Sequence, residues 1–232
     1  MKNEPKKTFL DPITLPVIQK HFLSQAYSFQ ELMMMYNCAI REVRTKLEVL
    51  NDELSMRHRS NPIEFITSRI KQPLSIVDKL TRYGVPVTVE SIERYLNDVA
   101  GIRVICPFMD DIYAVREMLL KQDDITLIRE KDYICNPKPN GYRSLHLIVE
   151  IPVFFSDQKK PMRVEVQIRT IAMDFWASVD HQLKYKQDLE NPEEISAELK
   201  ECADIIAQTD LRMLSIKKKI YSDENETSPS AP

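Results

Sequence analysis

"VEVQIRT", residues 164–170, alternates without a break: Val164, Val166 and Ile168 fall on one side of an extended chain, and Glu165, Gln167 and Arg169 on the other. One side of such a strand packs on a core. The other presents a carboxylate, an amide and a guanidinium. Upstream, Tyr142 to Val153 reads as a second strand, with Tyr142, Ser144 and His146 at even positions and Arg143, Leu145, Leu147 and Val149 at odd ones. The polar segment Phe155 to Pro161 is short enough to join the two as an antiparallel hairpin. Paired in this way, they gather a phenol, an imidazole, a carboxylate and an amide on one sheet face. Taken alone, the pair is equally an ordinary amphipathic sheet with its polar side in water.

Outward from this hairpin the chain alternates helix and strand. Strands are expected at Ile66 to Lys71, Ile102 to Cys106 and Ile125 to Glu130, and helices at Thr88 to Leu96 and Asp110 to Lys121. Pro73 starts a helix that Gly84 ends. Asn61-Pro62-Ile63-Glu64 carries the signature of a helix start, with Asn as cap and Pro at the first position. Apolar residues recur at helical spacing from about Leu23 to Leu54. Another helix passes through Trp176, read as a core residue, and Tyr185, and a last one runs from Asn191-Pro192 to about Ile220. The pattern is α/β, more narrowly α+β. It divides into an extension (1–22), N-terminal helices (23–60), a core (61–190), a C-terminal helix (191–221) and a disordered tail (222–232).

With 43% apolar residues among 232, the chain can bury one real core. A net charge of −3 argues against RNA or DNA binding driven by excess positive charge. The four cysteines, Cys38, Cys106, Cys135 and Cys202, lie far apart with no zinc-finger spacing, which suits a reducing cytoplasm. No signal-peptide core and no membrane-spanning stretch is expected.

Positive charge is local instead. Arg57, Arg59, Arg69, Lys71, Lys79 and Arg82 crowd into residues 57–82, where Glu64 and Asp78 are the only acids. A charge run is usually a solvated face. Arg69 and Lys71, however, alternate with Ile66 and Ile70 on an expected strand, which puts them on a sheet face. That arrangement suits a polyphosphate, with Lys as a point charge and Arg as a flat fork. Asp98, just ahead of a strand, and Glu165 on another could hold Mg²⁺ while substrate phosphates fill its other positions. A P-loop is absent from the sequence. "KPNGYRSLH", residues 138–146, contains one of only three glycines.

Together, "SRIKQPLSIVDKL", "NDVAGIRVIC", "PKPNGYRSLH" and "VEVQIRTIAMDFWASVDHQLKYK" resemble the synthetase domain of the RelA/SpoT family. Their order and spacing are similar to those of the stand-alone small alarmone synthetases, nearer the RelP type than the RelQ type. The likeness spans about Asn61 to Lys186. It implies a mixed, largely antiparallel five-stranded sheet flanked by helices, like a nucleotidyltransferase palm, with long terminal helices. It also implies transfer of pyrophosphate from ATP to the 3′-hydroxyl of GDP or GTP, giving AMP and ppGpp or pppGpp. By the same resemblance Arg69 and Arg103 sandwich adenine, and Lys71, Lys79 and Arg82 bind the ATP phosphates. Asp98 and Glu165 hold Mg²⁺, with Glu165 also the base. Tyr142 stacks on guanine, His146 and Gln167 lie near the acceptor, and Lys138 meets acceptor phosphates.

Asn140-Gly141 is then the turn that carries Tyr142 into its pocket. A homotetramer is implied, as is synthesis without hydrolysis, since the chain has no His-Asp dipeptide. Asp174 stands where the RelQ type has an Asn that contacts an activating alarmone, so repulsion of a polyphosphate, and no strong activation by pppGpp, is expected. Two rivals remain open: a nucleotidyltransferase, and a non-catalytic nucleotide or RNA binder.

Overall fold

A computed structural model describes residues 14–57, 61–184 and 191–226, with side chains for 24–56, 61–183, 191 and 193–221. Five strands form one sheet: β1 (Phe65–Ile70), β2 (Ala100–Cys106), β3 (Thr126–Asp132), β4 (Leu145–Phe154) and β5 (Lys159–Thr170). Their order is β1-β2-β5-β4-β3. The β2–β5 pair is parallel and the other three are antiparallel, so the sheet is mixed and largely antiparallel.

The alternation in β5 does what its pattern dictates. Val164, Val166 and Ile168 are fully buried, as are Leu145, Leu147 and Val149 of β4 and Ile102 and Val104 of β2. Across this apolar face lies α1 (Thr14–Arg57), which buries Leu32, Met35, Tyr36, Ala39, Ile40, Val43 and Leu47. Those positions recur every three to four residues and form one stripe. Each large side chain so buried contributes roughly 1.5–3 kcal/mol. The other sheet face, carrying Glu165 and Gln167, is left open in its middle.

The helices α2 (Pro73–Arg82), α3 (Val89–Tyr95), α4 (Met109–Leu120), α5 (Ile171–Lys184) and α6 (Pro192–Glu226) complete the fold. Pro73 opens α2, and Gly84 follows its end with φ +68°. Thr88 caps α3 by accepting from the Ser91 N–H at 3.2 Å. Between α5 and α6 sits a small second core of Trp176, Leu199 and Ala203, with the Trp176 indole donating to the Leu199 carbonyl at 2.8 Å. Farther along α6, Lys217 reaches Asp110 and Asp111 of α4, both at 2.9 Å.

Several boundaries differ from expectation. Asn61 to Glu64 does not start a helix: Ile63 enters the core and the Glu64 N–H donates to the Ile105 carbonyl, so sheet pairing overrides the local cap signal. The first helix begins at Thr14 rather than near Leu23, and Pro16 falls in its first turn, where a missing N–H breaks no helical bond. Tyr142 to Ser144 precede β4, because the Lys138 N–H donates to the Tyr142 carbonyl and the Tyr133 N–H to the Ser144 carbonyl in place of a ladder. The hairpin connection shrinks to residues 155–158. The last helix extends to Glu226, past the expected start of the tail at 222. Arg59, Tyr185, and the extension and tail at 1–13 and 227–232 lie outside the described residues.

Candidate active site

Strand register lines up the open face. Arg69 pairs with Gly101, which pairs with Glu165; one step along, Thr67 pairs with Arg103, Arg103 with Gln167, and Gln167 with His146. Thr67, Arg69, Gly101, Arg103, Glu165 and Gln167 line a cavity of about 120 Å³. Gly101 is its bare floor: a Cβ there would stand on the sheet face 3.6 Å from Arg69 Cγ, in ordinary van der Waals contact with the Arg69 side chain.

At one end Lys71 and Lys79 converge on a single oxygen, Asp98 Oδ2, at 3.1 and 2.7 Å. Lys79 arrives from the last turn of α2, and Lys71 from the residue after β1. Burial would raise the Asp98 carboxyl, but the hydrogen bonds and charges of the two lysines more than offset it and hold the group below its ordinary value. The second oxygen, Asp98 Oδ1, is buried with no hydrogen-bond partner. Arg82 is exposed, in the same last turn of α2 as Lys79.

In the middle, both oxygens of Glu165 are engaged. His146 Nδ1 lies 3.3 Å from Oε1, and Gln167 Nε2 donates to Oε2 at 2.9 Å. Burial raises this carboxyl, His146 and Gln167 lower it, the Asp98 charge works against them, and the balance is downward. Glu165 is therefore an ionised, oriented carboxylate at neutral pH.

At the far end is an aromatic cluster. The Tyr142 hydroxyl is 2.8 Å from His146 Nε2, and Tyr133 stands edge-on to both rings, with centroids 6.0 and 5.2 Å away. Lys138 Nζ sits 4.5 Å over the Tyr142 ring and 4.8 Å over Tyr133. The turn that presents Tyr142 closes through the Gly141 N–H to the Lys138 carbonyl at 2.8 Å, with Gly141 at φ +86°.

Two residues join this site that sequence pattern does not assign to it. Tyr133 follows β3, beyond the strand's expected end. Alternation puts Arg169 on the polar face and says no more; in the fold it is 4% exposed, and its guanidinium donates to Ser144, Tyr142, Gln167 and Asp174. Asp174 Oδ1 is shared by Arg169 at 3.0 Å and Arg103 at 3.1 Å.

The face thus carries a basic end with one carboxylate, a central carboxylate, and an aromatic end with one ammonium. A profile of the region found in RelA / SpoT proteins matches residues 68–190. The GTP pyrophosphokinase YwaC of Bacillus subtilis is 44% identical over 188 residues, 81% of this chain and 90% of that protein. GTP pyrophosphokinase YjbM of the same organism is 35% identical over 192 residues, 83% and 90% of the two chains. Among solved structures, small alarmone synthetase 1 from B. subtilis, bound to its product pppGpp, superposes with a TM-score of 0.76 at 35% identity, covering 83% of this chain and 97% of that one. Small alarmone synthetase 2 from the same organism gives 0.75 at 42% identity, covering 82% and 98%. With a profile match over more than half its length and relatives of this identity and coverage, the chain belongs to the RelA/SpoT family.

Proposed function

We propose that the chain is a GTP pyrophosphokinase, which transfers the β,γ-pyrophosphate of ATP to the 3′-hydroxyl of GDP or GTP and releases AMP with ppGpp or pppGpp. The observation that carries this reading is the place of Glu165, on the central strand between the Lys71–Lys79–Asp98 corner and the Tyr142–His146 cluster. A donor rich in phosphate suits the first and a purine acceptor the second.

Arg69 and Arg103 border the cavity over Gly101, where a flat base fits between guanidinium planes. Lys71, Lys79 and Arg82 hold the ATP phosphates. Each ammonium carries three donors, so contact with Asp98 leaves protons for phosphate oxygens. On the acceptor side guanine stacks on Tyr142, and Lys138 leaves the ring face to meet acceptor phosphates. Gln167 and His146 hold Glu165 toward the 3′-hydroxyl. Glu165 takes its proton as the oxygen attacks the β-phosphorus; the new O–P bond forms as the bond from that phosphorus to the α-phosphate bridging oxygen breaks, and AMP leaves. The lysines and arginines offset the charge that develops on the phosphoryl oxygens.

Asp98 and Glu165 are the residues that would hold Mg²⁺. The buried, unpartnered Asp98 Oδ1 fits a cation. No cluster of three or more His, Cys, Asp or Glu suited to a metal occurs among the described residues; an ion held by one or two carboxylates would need phosphate or water oxygens besides. Such an ion supplies neutralisation of phosphate charge.

The free thiols of all four cysteines and the nucleotide substrates suit a cytoplasmic enzyme; no helix among the described residues is long and apolar enough to cross a membrane. A homotetramer is the assembly we assign, supported by the exposed apolar ladder Ile171, Phe175, Val179 and Leu183 on α5.

The deciding experiment incubates the protein with ATP, Mg²⁺ and GDP or GTP, separates the nucleotides by anion exchange, and runs Glu165→Gln alongside. AMP with a more highly charged guanosine nucleotide is expected, reduced at least ~10²-fold in the variant. Release of pyrophosphate instead would make the chain a nucleotidyltransferase, and intact ATP would make it a binder.

A further inference from the structure

The guanidinium of Arg169 touches neither the open cavity nor the basic corner, yet it hydrogen-bonds two of the groups that contact the acceptor side. We propose that Arg169 is a positioning residue: from behind the pocket it sets the direction of two hydrogen-bond chains that end on the two oxygens of Glu165. The inference rests on Glu165 being the base.

Direction follows from what each group can do. A guanidinium only donates. Arg169 Nη2 donates to the Tyr142 hydroxyl at 2.5 Å and to Gln167 Oε1 at 2.9 Å. With its oxygen so engaged, the Tyr142 O–H turns to His146 Nε2 at 2.8 Å and makes that nitrogen the acceptor. The ring proton is then on Nδ1, the nitrogen 3.3 Å from Glu165 Oε1. In the second chain, fixing the Gln167 oxygen on Arg169 leaves its amide nitrogen to donate to Glu165 Oε2 at 2.9 Å. Both chains therefore present N–H groups, not lone pairs, to the carboxylate.

The source of direction is itself held. Arg169 Nη1 donates to Asp174 Oδ1 at 3.0 Å, and Nε to Ser144 Oγ at 3.3 Å, while the Ser144 hydroxyl donates to the Ile168 carbonyl at 3.3 Å. Without the guanidinium, the Tyr142 oxygen becomes free to accept from His146 Nε2–H, which would put the imidazole lone pair against Glu165. Gln167 becomes free to rotate its amide and do the same. A role in packing alone predicts neither change.

The test is the ring tautomer of His146, read by ¹⁵N NMR in the full-length protein and assigned by its loss in His146→Gln, together with steady-state kinetics of Arg169→Met and Arg169→Lys. The wild type should carry its proton on Nδ1. Arg169→Met should shift the tautomer toward Nε2–H and lower kcat about 10²-fold, the scale of general-base catalysis, with KM for ATP within a few-fold. Arg169→Lys, which can donate to only part of the set, should fall between. A wild-type ring protonated on Nε2 overturns the proposal even if neither variant folds, and so does Arg169→Met with unchanged kcat. Glu165→Gln with wild-type turnover would remove the base assignment instead, and the tautomer result would still decide the direction of the chain.

Discussion

A Cβ on Gly141 would lie 2.5 Å from the Cβ of Ala203, closer than two carbons can pack. The turn that presents Tyr142 is thus seated directly on α6, and glycine is required there twice: for this contact and for φ +86°. Gly84 separates the two requirements, since it has φ +68° but a Cβ on it would meet no atom within 4 Å. Gly84→Ala should therefore lose only the left-handed strain, about 1–2 kcal/mol. Gly141→Ala should lose that and also push α6 away, giving the larger drop in Tm and a higher KM for GDP or GTP, with KM for ATP little changed. Equal Tm losses in the two variants would show that the Ala203 contact yields freely.

Asp98 holds Lys71 and Lys79 on one oxygen and keeps the other unpartnered. These are separable jobs. Asp98→Asn removes the negative charge that competes with phosphate for the lysines and also removes a candidate metal oxygen. ATP binding without divalent metal, measured by calorimetry, should be as tight as in wild type or tighter, while turnover with Mg²⁺ falls at least ~10²-fold. Weaker metal-free binding would mean that Asp98 chiefly positions the lysines.

How much of this is legible in the sequence depends on the range of the interaction. The two-residue period of β5 and the helical period of α1 are local, and both hold in the fold. The individual residues of the Asp98 corner stand out in the sequence as candidates for phosphate and metal, but their convergence on one oxygen spans 27 and 19 residues and needs the fold. Arg169 illustrates the harder case. Alternation puts it on the polar face with Glu165, and only the fold brings Ser144, Tyr142 and Asp174 around it and closes it from water. The converse failure is Asn61-Pro62, where a sound local helix signal yields to the pairing of Glu64 with Ile105.

The ladder on α5 makes the assembly testable. Phe175 is 63% exposed, in line with Ile171 and Val179 one turn on either side. A charge there should be harmless to a monomer and disruptive to an apolar contact between copies. Phe175→Glu is expected to lower the mass seen by light scattering coupled to size exclusion while leaving the far-UV circular dichroism unchanged. An unaltered mass would mean that this ladder does not join copies of the chain.

Thr170, at the end of β5, donates to Asp210 Oδ2 at 2.6 Å and accepts from the Met173 N–H at 3.0 Å, so it starts α5 and ties it to α6 at once. Burial raises the Asp210 carboxyl, and the Thr170 hydrogen bond and Arg143 charge only partly counter it, so the group stays above its ordinary value of 3.8. Below that value Asp210 is protonated in both the folded and unfolded chains and its ionisation does not affect stability. As pH rises, the unfolded chain releases its proton first, and stability declines until the folded group has also ionised; above that the loss is constant. Asn offers Thr170 the same acceptor without the charge. Asp210→Asn should therefore raise Tm at pH 7, and the gain should shrink to nothing as pH falls below the ordinary aspartate range. A loss at pH 7 would mean that the attraction between Asp210 and Arg143 outweighs burial, and a gain that persists undiminished at pH 3 would mean that the ionisation of Asp210 is not its source.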